Sequence, residues 1–505
     1  MNIALRVDAG LQIGTGHLVR CLTLADTLAQ RGARCVFLCR DLPAYLVQWV
    51  QARGHSLIPL PVHPDQPCDT ELAHGNWLGA SQPGDAADSL AALQGTWWDW
   101  LVVDHYALDA RWEKLLRPAV RRILVIDDLA DRKHECDVLL DQNFYTDLHT
   151  RYQGKVPEAC QLLLGPRFAL LREEFRLLGK TTPPRAGALR RLLVFFGGMD
   201  AHNFTGRALA VLAELALPGV QVDVVIGEQH PKRLAIEAMC QAQGYTCHVQ
   251  TPAMAELMAS ADLAIGAGGI ACWERCCLGL PTLALSTAAN QTQQLKDAAG
   301  QGLLYNIEVA DNLAEALKLH LQALIGNPAL RRLLSVNGMA AVDGDGRLRI
   351  AEHMGCTGIS IRAAEQRDAA ALHRWRNHPA IRAVSNNCDE IAWADHCRWL
   401  GGVLADPQRH LLIGEVESQP VGVVRFDVQA DQAEVSIYKV PDAAMPCRGA
   451  DLLRCAQDWL VAQHPEVTGV HAQVKGGNMP SNGLFNAAGY DVDHTRFIRK
   501  LKRDV

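Results

Sequence analysis

The chain has 505 residues, 49% of them apolar and 21% charged. That is an ordinary globular composition, and at about 100–200 residues per domain it holds about three domains. A formal net charge of −6 argues against a basic nucleic-acid binder, so no nucleic-acid partner is expected.

No apolar run reaches the roughly 18–20 residues of a membrane span. Met1 leads straight into a strand pattern and not into a signal peptide. The 16 cysteines lack the spacing of a zinc site or a disulfide scaffold. A cytoplasmic protein with reduced cysteines, no membrane span and no metal is the expectation.

From the N-terminus, short apolar runs at Ile3–Val7, Cys35–Leu38, Leu101–Val103, Ile123–Ile126 and Val138–Leu140 read as strands. Helical patterns at Arg20–Arg31 and Leu108–Arg117 lie between them. Such alternation predicts a parallel sheet with helices on both faces. Several runs end in polar groups: Asp104-His105-Tyr106, Asp127-Asp128 and Asp141-Gln142-Asn143. Ligands of open α/β sheets bind at the carboxyl ends of strands, so these groups are expected to rim a site.

Gly179-Lys180-Thr181-Thr182-Pro183-Pro184 has linker composition. A second α/β series follows, with strands Leu192–Phe196, Val222–Ile226, Leu263–Ile265 and Thr282–Leu285. The expected organisation is two Rossmann-type domains, 1–178 and 185–341, facing a cleft, with Val342–Thr357 as a junction. A third, mixed α+β domain is expected over 358–505. Its strands are Ile359–Ala363, Leu411–Glu417, Pro420–Asp427, Glu434–Lys439 and Gly469–Val474, and its later helices are Ala450–Gln463 and Ser481–Ala488.

The first chemical motif, Gly14-Thr15-Gly16-His17, follows the first strand and opens a helix. Small residues admit close backbone approach, and a helix N-terminus attracts anions. A histidine at that point fits a general base; it also fits a residue that only caps or packs the helix start. In the second series, Gly197-Gly198 and Gly268-Gly269 end strands and precede helices, a pattern that presents amides to a pyrophosphate. Glu274, one turn further on, fits a ribose contact. A tight turn and a solvated helix face account for the same pattern.

Arg6-Val7-Asp8-Ala9, Ile13-Gly14-Thr15-Gly16-His17 and Val103-Asp104-His105-Tyr106 form one set of motifs. Phe196-Gly197-Gly198-Met199-Asp200, Ala267-Gly268-Gly269, Trp273-Glu274-Arg275 and Ala289-Asn290-Gln291 form another. Over about residues 1–340 the two sets together resemble the sugar-nucleotide hydrolases of the pseudaminic acid pathway. The resemblance implies a GT-B fold of the MurG type. It also implies hydrolysis of UDP-2,4-diacetamido-2,4,6-trideoxy-β-L-altropyranose to UDP and the free sugar, with inversion.

His17 is then the implied base. Gly14, Thr15, Gly16, Tyr106, Gly197, Gly198, Gly268, Gly269, Glu274 and Asn290 are the expected substrate and UDP contacts. Asp104, His105 and Asn143 are further expected contacts from the first domain.

In the third domain, His373-Arg374-Trp375-Arg376-Asn377, Cys447-Arg448-Gly449-Ala450-Asp451-Leu452-Leu453 and Asn478-Met479-Pro480-Ser481 resemble the GNAT acetyltransferase superfamily. His396 and Trp399 fit the branch that acetylates amino sugars or protein N-termini. The resemblance implies acetyl-CoA as co-substrate, held at Arg448, Gly449, Ala450 and Asn478, with Trp375 and Asn377 walling the acceptor site. Ala444 and Cys447 depart from the superfamily's pyrophosphate pattern. Phe485 stands where many relatives carry a proton-donating tyrosine, which leaves Tyr438 and Tyr490 as candidates. Glu434 fits a base or a solvated strand-end residue.

The two resemblances imply consecutive steps: acetylation of the 4-amino group of a UDP-amino sugar, then removal of UDP. A GT-B glycosyltransferase, or a nucleotide-sugar sensor with a degenerate acetyltransferase domain, are the competing expectations.

Overall fold

The computed structural model describes residues 1–10, 13–63, 71–309, 312–385, 387–416, 418–443, 447–475 and 478–492. The apolar runs near the N-terminus become strands buried on both faces, as a parallel sheet under two helical layers requires. In chain order these are Asn2–Val7 (β1), Arg34–Arg40 (β2), Ser56–Leu60 (β3), Trp98–Asp104 (β4), Val120–Ile126 (β5), Val138–Asp141 (β6) and Gln161–Leu164 (β7). All pair in parallel, in the order β3-β2-β1-β4-β5-β6-β7.

The second series folds into another parallel sheet of Arg191–Phe195 (β8), Gln221–Ile226 (β9), Thr246–Val249 (β10), Leu263–Ala267 (β11), Thr282–Leu285 (β12) and Tyr305–Ile307 (β13). Its order is β10-β9-β8-β11-β12-β13. In each sheet the chain reverses its direction of travel at one point, between β1 and β4 and between β8 and β11. That is where an open α/β sheet leaves a crevice.

The four strands that the apolar runs did not predict are β3, β7, β10 and β13, and each is a sheet edge. Their side chains are mostly exposed or half-buried, so they carry no continuous apolar run.

The segment expected as a junction is structured. Gly346–His353 is a helix whose Ile350 and Ala351 are buried, followed by buried Met354 and Cys356, in the same core as Ile3, Leu5 and Leu28. Trp100 Nε1 donates to the Met354 carbonyl at 2.9 Å, and Arg347 Nη1 to Thr27 Oγ1 at 2.9 Å. The glycines and charges of 342–357 masked a helix with one apolar face.

The expected linker is partly helical, since Gly179, Lys180 and Thr181 close the helix Glu173–Thr181, and Arg185, directly after the linker, is pinned. The buried Arg185 guanidinium donates to the carbonyls of Met258, Ala259, Ala261 and Leu278 at 2.7–3.0 Å. Residues 1–356 accordingly form one compact unit.

Residues 357–505 form a second unit. Its sheet runs β14-β15-β16-β17-β18, from Ser360–Ala363 (β14), Arg409–Val416 (β15), Gln419–Gln429 (β16), Gln432–Lys439 (β17) and Gly469–Ala472 (β18). The first four are antiparallel and β18 joins β17 in parallel. Alternating side chains feed two cores. Leu411, Ile413 and Val423 meet Leu372, Trp375 and Leu400 on one face. Leu412, Val424 and Phe426 meet Leu452, Leu453 and Leu460 of the helix Gly449–Gln463 on the other. Among the described residues, no helix is long and apolar enough to cross a membrane.

Candidate functional site

The turn after β1 leads into the helix Gly16–Gln30, and His17 lies in its first turn, 8% exposed. Gly14, at φ +78°, pairs with Gly10 through Gly14 N to Gly10 O at 2.8 Å and closes the turn. Thr15 and Gly16 are exposed beside it. β4 ends at Asp104, directly across the β1/β4 crevice, and His17 Nδ1 lies 2.6 Å from Asp104 Oδ1.

Arg20, one turn after His17, grips the same carboxylate through Nε to Oδ2 and Nη2 to Oδ1, both at 2.6 Å. Burial opposes ionisation of Asp104, but Arg20 first and His17 second outweigh it and hold the carboxyl well below its usual range. An ionised carboxylate only accepts hydrogen bonds, so Nδ1 of His17 donates and Nε2 is the basic nitrogen.

Aromatic rings pack beside this pair. Tyr106 meets the His17 ring edge-on at 4.6 Å, Trp77 stacks on Tyr106 at 5.7 Å, and His74 lies 4.3 Å from Trp77. The Tyr106 hydroxyl donates to Asp128 Oδ1 at 2.5 Å, and Arg20 Nη1 reaches Asp128 Oδ2 at 3.2 Å. His105 is placed differently: it is buried, with Nε2 3.2 Å from Asp8 Oδ2. Asn143, at the end of the β6 strand region, spends its amide on Asp128 and Trp273.

In the second sheet both glycine turns sit at the ends of β8 and β11, on either side of the switch point. Gly198 O accepts from Gly227 N at 3.1 Å, and a Cβ on Gly227 would come within 2.4 Å of that oxygen, so the two loops touch backbone to backbone. Gly269 adopts φ +73° and ψ −160°, a conformation open to glycine alone, and caps the helix Ile270–Cys277. Glu274 on that helix is buried; burial pushes its carboxyl up, and Arg172 Nη2, 3.6 Å away, pulls it back only in part.

Arg275 is fully buried beneath the same turn and forms no ion pair among the described residues; its Nε and Nη1 lack hydrogen-bond partners. Asn290 is exposed, just before the helix Gln291–Gly300. A cavity of about 480 Å³ opens beside Ala289, lined also by His202, Arg207, Thr287, Thr292 and Asn306. Neither His17 nor the glycine turns line it.

In residues 357–505 the expected site residues do not converge on one group. Trp375 is in the core, and Asn377 both donates to the Ile391 carbonyl and accepts from its N–H, each at 2.9 Å. His396 Nε2 bonds to the Ala369 carbonyl at 3.0 Å, and Trp399 is partly exposed. Arg448, Gly449 and Ala450 form the start of the helix Gly449–Gln463. Asn478 caps the helix Met479–Ala487 by accepting from Ser481 N at 3.2 Å.

Tyr490, pushed up to about 12 by burial, accepts from Gln457 Nε2 at 2.9 Å, and its ring lies 5.0 Å from Phe485. Burial also raises Tyr438. Glu434 lies within β17, opposite Asp427 and His471. Ala444 lies outside the described residues, and Cys447 is half-buried before the helix. The β17–β18 pairing stops at Val435 and Ala472, so Ser436–Lys439 continue without a β18 partner. Among the described residues, no group of three or more His, Cys, Asp or Glu is arranged to hold a metal ion.

Sequence reasoning missed Arg20, Trp77 and His74, and it expected Asp128 only at the rim of a site, without its ties to Arg20 and Tyr106. Arg20 carried a signal: it sits three residues after His17, on the same helix face.

No family model matches the chain. It is 25% identical over 359 residues to the spore coat polysaccharide biosynthesis protein SpsG of Bacillus subtilis, covering 69% of this chain and 96% of that protein. It is 28% identical over 216 residues to the UDP-2,4-diacetamido-2,4,6-trideoxy-β-L-altropyranose hydrolase of Campylobacter jejuni, covering 43% of this chain and 66% of that one. Among solved structures, Acinetobacter baumannii MurG superposes with a TM-score of 0.50 at 14% identity, over 70% of this chain and 99% of that one. The two parallel sheets thus have the GT-B fold of the glycosyltransferases.

Proposed function

We propose that residues 1–356 hydrolyse UDP-2,4-diacetamido-2,4,6-trideoxy-β-L-altropyranose to UDP and the free sugar, with His17 as the base. The observation that carries this reading is His17 held on the buried, ionised Asp104 at the switch point of the first sheet. Sequence similarity to the Campylobacter jejuni hydrolase supports the substrate.

In the proposed reaction Nε2 of His17 takes a proton from water as its oxygen attacks the anomeric carbon. The bond to the diphosphate oxygen breaks, and UDP leaves. One displacement inverts the centre. Nδ1–H stays on Asp104, which stabilises the imidazolium that forms. Charge developing on the diphosphate meets backbone amides of the turns at Gly197-Gly198 and Gly268-Gly269. Arg275 adds a fixed positive charge beneath them, and Glu274 is the ribose contact. Tyr106, Gly14, Thr15, Gly16 and Asn290 complete the proposed contacts.

Residues 358–505 are proposed as an acetyl-CoA-dependent N-acetyltransferase for the 4-amino group of the preceding UDP-amino sugar, both steps being cytoplasmic. Support comes from the motif resemblance and from the β17 segment left unpaired beside β18, next in sequence to the helix that begins at Gly449. Arg448, Gly449, Ala450 and Asn478 are the proposed acetyl-CoA contacts. Trp375 and Asn377 are the proposed wall of the acceptor site, Asn377 being fixed by its two bonds to Ile391.

The deciding experiment incubates the full chain with the UDP-sugar, without any acceptor, and follows UDP release. Release that falls at least about 100-fold in His17→Ala supports the hydrolase. Ligand binding without release points to a transferase awaiting an acceptor, or to a sensor.

A further inference from the structure

Asn143 stands where a strand-end residue is expected to face the ligand, yet its amide is engaged on both sides. Oδ1 accepts from Trp273 Nε1 at 3.0 Å, and Nδ2 donates to Asp128 Oδ2 at 3.3 Å. Asp128 Oδ2 also accepts from Arg20 Nη1 at 3.2 Å. Arg20 binds both oxygens of Asp104 at 2.6 Å, and Asp104 holds His17 at 2.6 Å. An unbroken run of hydrogen bonds therefore leads from the helix Ile270–Cys277 of the second sheet to the imidazole of the first. Trp273, Asn143, Arg20 and Asp104 are buried, and Asp128, through which two of these bonds pass, is partly exposed.

We propose that Asn143 is a positioning residue that ties the aim of His17 to the seating of the helix Ile270–Cys277, an inference that rests on His17 being the base. The polarity of the chain singles out an amide at this position. The indole nitrogen can only donate and the Asp128 carboxylate can only accept, so the residue between them must accept at one end and donate at the other. Asp at 143 would face Asp128 with a second carboxylate, and Leu would orphan the indole N–H and take one donor from Asp128, which keeps Arg20 and Tyr106. The anchor is well placed to report a bound nucleotide. Trp273 lies four residues beyond Gly269 and directly before Glu274. A ligand that settles this turn settles the indole donor. Asn143 then holds Asp128, Asp128 holds Arg20, and Arg20 holds Asp104 square to His17.

Two substitutions test the chain in the full-length protein. Trp273→Phe removes the donor and keeps most of the ring; Asn143→Leu removes both polar ends at similar volume. Each is expected to lower kcat about 10-fold through misplacement of the base, with UDP affinity by calorimetry within about twofold of wild type. The double variant is expected to be no worse than the more damaged single one, because linked residues are not additive. In the His17→Ala background, Trp273→Phe is expected to leave the residual rate unchanged, since the chain then ends on nothing. The low-field imidazole N–H proton signal of His17 is expected to shift or broaden in both single variants.

Additive losses, an equal loss in the His17→Ala background, or an unaltered His17 signal would each overturn the proposal. The proton signal needs no substrate, so a wild-type protein that releases no UDP would sink the hydrolase reading while this measurement still decides the coupling. Should Trp273→Phe fail to fold, Asn143→Gln, which keeps both amide ends on a longer stem, carries the same readouts.

Discussion

The two units hold their candidate residues in opposite ways. In residues 1–356, His17, Arg20 and Cys21 from one helix and Asp104 from one strand end all meet at a single buried carboxylate. In residues 357–505, the residues singled out by motif serve the fold itself: Trp375 fills a core, Asn377 pins Ile391, and Asn478 caps a helix. A parallel sheet gathers the ends of distant strands at one edge, so its chemistry resides in side chains that converge there. A ligand held as proposed for the second unit, at a helix start and along a strand segment paired on one side only, needs few side chains, so point substitutions expose such a site less sharply. Side-chain deletions should therefore abolish activity in the first unit and mainly cost stability in the second.

The sharpest way to break that contrast is at the carboxylate. His17→Ala carries the largest expected loss, at least about 100-fold in UDP release with the fold intact by circular dichroism. Asp104→Asn comes next. It removes the group that fixes the tautomer of His17 and leaves the buried Arg20 guanidinium without its bidentate partner. Removing one member of a buried ion pair costs about 3–5 kcal/mol. Denaturation should show that loss together with a fall in turnover. Turnover near wild type in Asp104→Asn would mean that the first unit's convergence is structural, like the packing in the second.

Arg275 sharpens the contrast inside the first unit. A Cβ on Gly266 would lie 2.9 Å from Arg275 Nη1, which places this cation against the strand ends that carry both glycine turns. Burial lowers its affinity for the proton, and no carboxylate forms an ion pair with it among the described residues. Arg275→Met is expected to weaken UDP about 10-fold, the scale of one charged hydrogen bond, and to leave uridine affinity unchanged in calorimetry. Equal losses for both ligands would make it a packing residue.

Asn377→Ala gives the counterpart in the second unit. It leaves the Ile391 N–H without its acceptor and the Ile391 carbonyl with His373 alone, costs about 1–3 kcal/mol, and should lower the melting temperature without altering acetyl-CoA affinity.

The sequence made the interior of the molecule legible and its edges obscure. β1, β4, β8 and β11 were visible because strands covered on both faces must be apolar throughout. β3, β7, β10 and β13 were not, because an edge strand is half wet and mixed in composition. The helix Gly346–His353 hid for a related reason: its neighbours in sequence are glycine and charge, and its partners are Trp100 and Thr27, far up the chain.

At the candidate site, His17 was expected because its motif is local. The role of Arg20 was not, because Asp104 and Asp128 lie 84 and 108 residues away. Asn143 was expected as a contact at a strand end, without its ties to Asp128 and Trp273. Its place at a strand end was readable, but the indole that claims its oxygen is 130 residues distant.

The smallest effect expected is one of pH, at Asp141 beside this network. Asp141 is fully buried, accepts from Asn143 N at 3.0 Å and from the Tyr152 hydroxyl at 3.0 Å, and has its carboxyl pushed up to about 8 by burial first and the Asp128 charge second. The unfolded chain releases this proton near about pH 3.9, so the folded state binds it more tightly. The stability contributed by the neutral acid is full below about pH 4, declines above it, and is gone once the pH has risen through about 8.

Asp141→Asn imitates the protonated acid and does not titrate. Its amide oxygen still accepts from Asn143 N, so the main chain at Asn143 is kept. Melting temperatures of the two proteins should lie close together near about pH 5 and diverge toward about pH 9, with the variant the more stable. Parallel curves over that range would show that Asp141 is ionised throughout, and that the donors around it, not burial, set its charge.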